Sequence, residues 1–120
     1  AIELFRSETT LRGAVSFHAI LGNQIGPNKA KTTPLAKGIT GKLLVLHGHD
    51  DPLVSAEDIS NLQKELTDAK IDWQMVIYGN TSHAFTNPEA HDLAHGLIFN
   101  ADANKRSWLS MRNFFEELFT

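Results

Sequence analysis

There is no cysteine in these 120 residues. Its absence excludes disulfides, thiolate metal sites and a cysteine nucleophile within the chain, while leaving the compartment open. No apolar run approaches the roughly 20 residues that cross a bilayer. Charge of one sign is not in excess: the formal net charge is -3 and the pI lies near 6.0. With no basic cluster either, the chain carries no electrostatic footprint for nucleic acid. Internal repeats and low-complexity segments are also missing. The first residue is Ala1 rather than Met. The helix-like start Ala-Ile-Glu-Leu-Phe-Arg reads as cut from something longer, whose expected location is cytoplasmic.

What is present suffices for a core. Hydrophobic residues make up 42% of the chain and seven are Phe, which is not the composition of a disordered tail. The length allows one small domain. Its organising stretch is Lys-Leu-Leu-Val-Leu-His-Gly-His-Asp-Asp-Pro-Leu-Val, from Lys42 to Val54. A short apolar run closed by turn residues predicts a strand buried on both faces, as in a parallel sheet covered by helices. Ligands of such sheets sit beyond the carboxyl ends of the strands. Gly48 lets the chain bend there and Pro52 stiffens the turn that carries Asp51.

The rest of the chain alternates around that strand. Ala1 to Ser7 predicts the last turns of a helix, and Leu11 to Ala19 a strand opened by Gly13. The Gly-, Pro- and Lys-bearing stretch from Leu21 to Gly41 predicts a loop. Ser55 to Lys70 predicts a helix capped by Ser55 with Asp58 three residues on, an acidic form of the capping box. Its expected buried stripe is Ile59, Leu62, Leu66 and Ala69. Asp72 to Tyr78 predicts a strand rich in Trp, Val, Ile and Tyr. Thr81 to Asn100 predicts a long loop, and Asp102 to Phe119 a helix with Trp108, Met111, Phe115 and Leu118 on one core-facing side. The order is that of a parallel α/β sheet, here with three parallel strands flanked by helices.

Two of the strands end in loops that bear chemistry, one presenting Asp51 and the other His83. A right-handed crossover through the intervening helix lays these strands side by side and parallel. Asp51 and His83 can then meet at one edge of the sheet. A carboxylate that fixes an imidazole tautomer and steadies the imidazolium is two-thirds of a hydrolytic triad. Asp50 is a rival acid. A turn-forming Asp51 and a solvated His83 are the plainer readings. His18 and His47 are expected to be structural, hydrogen-bonded near strand ends. The pair His91 and His95 is spaced like a zincin helix with Asp92 in place of Glu, but Asp is shorter and no third ligand follows at a familiar spacing. A metal is therefore not expected. Ser82 adjoins His83 and points away from it, and Ser16 and Ser110 lack an elbow.

Gly48-His49-Asp50-Asp51-Pro52-Leu53-Val54, then Tyr78-Gly79-Asn80-Thr81-Ser82-His83-Ala84-Phe85, then the Asn100 to Trp108 run into a Phe-rich helix, resembles the carboxyl-terminal half of the dienelactone hydrolase family. The segment from Ala1 to His18 is similar to the helix and strand that follow that family's nucleophile. The resemblance implies an α/β-hydrolase fold, with residues 1–120 forming one partial domain. Its spacing Gly-x-x-Asp-Pro selects Asp51 over Asp50 as the triad acid, and His83 becomes the general base. The order Asp then His is the one such hydrolases use after their nucleophile. The implied activity is hydrolysis of a carboxylic ester or lactone through an acyl-enzyme, with no cofactor.

The family's nucleophile, Cys or Ser, and its oxyanion donors belong to segments outside this sequence, so the chain alone is expected to be inactive. The dienelactone enzymes also place an Arg soon after the His. Here Thr86 and Asn87 follow, neither of them a cationic fork, which argues against a carboxylate-bearing lactone. The contrasting reading is a non-catalytic α/β binding or assembly module. In the complete fold the strand from Ala14 to Phe17 is expected to pair with the strand of the nucleophile; cut free, it offers an unpaired edge through which the chain is expected to self-associate. No nucleic acid or membrane partner is expected.

Overall fold

Leu43, Leu44, Val45 and Leu46 are all buried, which fixes where their strand must lie. The computed structural model, which describes residues 1–21 and 34–120, puts that strand, β2 (Lys42–Gly48), in the middle of a parallel three-stranded sheet. On one side it pairs with β1 (Gly13–Phe17), Gly13 opposite Lys42; on the other with β3 (Asp72–Tyr78), Lys42 opposite Asp72. The expected loop over 21–41 falls largely on residues 22–33, outside the described residues. From Pro34 to Gly41 there is no helix or strand.

The side chains of β2 alternate between two cores. Leu43 and Val45 join Ile2 and Phe5 of α1 (Ile2–Ser7), Leu62 and Leu66 of α2 (Ala56–Asp68), and Val54 and Ile71. Leu44 and Leu46 join Tyr78, Phe85, and Ala103 and Phe114 of α3 (Ala101–Leu118). Helices thus cover both faces, which is why the strand reads as an unbroken apolar run rather than an alternating one.

Helix α2 begins at the expected cap. Asp58 N–H donates to Ser55 Oγ (3.1 Å) and Ser55 N–H donates back to Asp58 Oδ2 (3.0 Å). Its end differs from the sequence expectation. Lys70 adopts a left-handed φ of 58°, Lys70 N–H donates to Thr67 O and Ile71 N–H to Leu66 O. These paired bonds close a helix with its last carbonyls satisfied, a geometry usually supplied by Gly. Ala69 is the C-cap residue and is exposed, so it does not extend the buried stripe. Ile59 is only half-buried.

Two other expectations need correction. The stretch 81–100 is not all loop: it holds β4 (His91–Asp92), a 3-10 turn (Leu93–His95) and β5 (Leu97–Ile98), with β4 and β5 antiparallel. Two-residue strands are too short to show a period. The inward side of α3 is only partly the one its large residues suggest, since Phe115 and Leu118 pack against the core. Ala103, Ser107 and Phe114 are buried, whereas Trp108 is half exposed. The N-cap sets this rotation. Asn100 Oδ1 accepts from Ala103 N–H (3.0 Å) while its Nδ2 reaches Asn80 O and Thr81 Oγ1, tying the first turn to the end of β3. Small residues then face the sheet and let the helix lie close. Trp108, Met111 and the outer side of Phe115 line an open apolar groove.

At the carboxyl edge the loops after β2 and β3 nearly touch. A Cβ at Gly48 would come within 2.5 Å of Thr81 O and 2.6 Å of Ser82 O. Backbone atoms cannot swing aside as side-chain ends do. Gly48→Ala should therefore lower stability by about 1–3 kcal/mol, read as a fall in the urea midpoint; an unchanged midpoint would show that the loops have room to part.

His47 closes the same strand, buried, with Nδ1 unpartnered among the described residues. Burial lowers its pKa below the ordinary 6.5, with His49 and His83 adding to the effect and the Asp51 carboxylate opposing it. The unfolded chain then takes up the proton first as pH falls. Stability is fully present above 6.5 and is lost as pH drops through the folded value. The thermal midpoint should fall between pH 7.5 and 5, and His47→Gln should flatten that fall. A midpoint level across this window, or a slope the variant leaves intact, would remove His47 from the account.

Candidate active site

Asp51 is placed by main-chain bonds before its side chain does anything. His49 N–H donates to Tyr78 O (2.9 Å) and Asp50 N–H to Thr81 O (2.9 Å), so the loops after β2 and β3 are stitched together. Asp51 N–H then turns back to Gly48 O (3.2 Å). The Asp51 side chain is fully buried. Its Oδ1 accepts from Leu53 N–H (2.9 Å), a local turn across Pro52 that orients the carboxyl group.

His83 reaches that carboxylate from the other loop, with Nδ1 2.7 Å from Asp51 Oδ2. A carboxylate only accepts, so Nδ1 carries the hydrogen and Nε2 is left with its lone pair. Its backbone is clamped to β5: His83 N–H donates to Gly96 O (2.9 Å) and Ile98 N–H donates to His83 O (3.1 Å). Beyond it Ala84 turns through a left-handed φ of 57°, and Phe85 is fully buried as the anchor of the loop. The β4–β5 hairpin also touches the acid turn. A Cβ at Gly96, whose φ is +67°, would come within 2.5 Å of Pro52 Cγ.

The other candidates fall elsewhere. Asp50 pairs with His49 Nδ1 (3.0 Å), both side chains being half or more exposed, so it is not the buried acid. His95 Nδ1 lies 2.7 Å from Asp92 Oδ2 on the surface, and the bond from His95 lowers the Asp92 pKa. Among the described residues no group of three or more His, Asp and Glu could hold a metal ion. Ser16 is buried in β1. His47 lacks the expected hydrogen bond at Nδ1, while His18 has one, its Nε2 lying 2.9 Å from Thr86 Oγ1.

Sequence reasoning missed where His18 lies. It follows β1, with its N–H donating to Leu46 O (2.9 Å), and its ring stands edge-on to both His83 and Phe85, each at a centroid distance of 5.4 Å. The signal was its place after a strand, the same kind of position that singled out Asp51 and His83. Burial is the main reason its pKa is lowered, with His83 next; the Asp51 charge opposes the shift. The rim thus gathers one carboxylate and two imidazoles. It can take a proton at His83 Nε2 and stabilise the cation so formed.

The family model of the dienelactone hydrolase family matches residues 1–119. A solved dienelactone hydrolase-like promiscuous phosphotriesterase from metagenomic libraries is 38% identical, with a TM-score of 0.81 over 99% of this chain and 47% of that one. The solved protein m3DLH is 40% identical, with a TM-score of 0.84 over 100% of this chain and 48% of its own. A Caenorhabditis elegans protein, K02A2.1, is 29% identical over 110 residues, 91% of this chain and 66% of that protein. The chain therefore spans about half the length of these solved relatives. Its three parallel strands and flanking helices are the carboxyl-terminal part of an α/β-hydrolase fold. By sequence and by architecture, this chain belongs to the dienelactone hydrolase family.

Proposed function

We propose that Asp51 and His83 are the acid and base of a hydrolase that cleaves carboxylic esters or lactones through an acyl-enzyme. The observation that carries this reading is the 2.7 Å contact between a fully buried carboxylate and His83 Nδ1, at the carboxyl edge of a parallel sheet. His83 Nε2 takes the proton of the nucleophile, and Asp51 stabilises the resulting imidazolium. The proton then passes to the departing alkoxide, and the same nitrogen activates the water that releases the acid. The chain contributes no cysteine and no serine on an elbow, so the nucleophile comes from elsewhere in a longer protein. A small uncharged ester or lactone is the substrate class. Phosphotriesters deserve parallel assay, because one solved relative is named for that activity. A cytoplasmic location goes with the same reading; among the described residues no helix is long and apolar enough to cross a membrane.

In the complete protein, His83→Ala should reduce ester turnover by about three to four orders of magnitude with the circular dichroism spectrum unchanged. Near-normal turnover in that variant would exclude His83 as the base. A complete wild-type protein that hydrolyses neither esters nor phosphotriesters would favour a binding or assembly module.

Self-association is proposed for the 120-residue chain by itself, because in the complete hydrolase the strand of the nucleophile covers β1. Among the described residues β1 pairs only with β2, leaving its outer side as a bare edge. Phe17 of that strand packs on Trp108, with ring centroids 5.2 Å apart, so the edge runs into the apolar groove of α3. A second copy of the chain can cover both at once. Light scattering should show a mass that rises with concentration, and Trp108→Glu should shift the equilibrium towards monomer. A single monomeric mass at high concentration would rule the association out.

A further inference from the structure

We propose that His18 is a positioning residue for His83: a ring wedged against the base, holding it in the plane that serves Asp51. The inference rests on His83 being the base. A hydrogen bond at Nδ1 fixes one atom of the imidazole, but the terminal torsion of a histidine is broad and roughly two-fold. A second wall is needed to hold the plane, and His18 supplies it, edge-on to His83 at 5.4 Å and 70°.

Further observations support the assignment. His18 sits at φ 36°, a left-handed conformation that is unfavourable for a non-glycine residue and persists where the surroundings enforce it. Its amide is held by Leu46 O on the central strand. Its Nε2 pairs with Thr86 Oγ1, three residues beyond His83 in the same loop, so the two imidazoles are also tied through the chain. Phe85 closes the other side of the His18 ring at 5.4 Å. The arrangement also has the right charge. The titratable groups facing His18 are His83 and Asp51, and burial lowers the pKa of His18. A second cation beside the His83 imidazolium would oppose proton uptake. A neutral ring does not.

Nitrogen-edited NMR of the histidine side chains tests this on the 120-residue chain itself. Wild-type His83 should show one tautomer, protonated at Nδ1. In His18→Ala a second His83 ring state should appear, with the Nδ1–H signal broadened or lost. His18→Phe, which keeps a ring there, should restore the single state. In the complete protein, His18→Ala should lower kcat by about 10- to 100-fold with KM changed less than about two-fold, and His18→Phe should recover most of it. If His18→Ala does not fold, Thr86→Val takes its place and should broaden the same signal. Unchanged His83 resonances in the folded variant overturn the inference, as does an unchanged kcat in an active enzyme. If the His83 signals respond but the wild-type complete protein hydrolyses no ester, positioning stands and the hydrolase reading falls.

Discussion

Everything at the carboxyl edge of this sheet depends on how closely two loops approach. Gly48 lies so near the carbonyls of Thr81 and Ser82 that no side chain fits between them. That approach brings His49 and Asp50 amides onto Tyr78 and Thr81 carbonyls, and only then can the Asp51 carboxylate reach His83. The contact between Asp51 and His83 is therefore set by main-chain geometry, and the side chains inherit it. Local turns complete the work: Leu53 N–H orients the carboxyl group, and β5 holds the backbone of His83 from both sides.

Burial then differentiates chemically identical groups. Of the two neighbouring aspartates, Asp51 is enclosed and Asp50 faces solvent beside His49. Four histidines cluster in sequence or space around that enclosed charge. His83 alone is bonded to it; His18 and His47 are pushed towards neutrality by burial, and His49 turns outward. One carboxylate can stabilise one imidazolium strongly, and the fold decides which ring receives it.

The parts of this arrangement legible in the sequence are those with local causes. The apolar run of β2, the Ser55 and Asp58 cap and the β-rich stretch of β3 each announce themselves within a few residues, and the structure places them as expected. Asp51 and His83 were legible because each follows such a strand, and adjacent parallel strands share an edge. Where the cause was tertiary, the sequence misled. On α3, Asn100 reaching across to Asn80 and Thr81 fixes the first turn, and Phe114 rather than Trp108 is the aromatic residue that enters the core. Ala69 is exposed because Lys70 ends the helix in a conformation that its residue type does not advertise. The β4–β5 hairpin is too short for periodicity. His18 looked like an ordinary strand-end histidine until the neighbouring loop folded over it.

The contact between Gly96 and Pro52 couples two parts of the molecule that share no hydrophobic core. The hairpin from His91 to Ile98 leans on the ring that stiffens the acid turn, and neither partner has a rotatable side chain to absorb a shift. Lengthening or shortening that hairpin would be felt at Asp51 as a displacement of the whole turn. A surface feature that carries no chemistry of its own thereby becomes a lever on carboxylate placement.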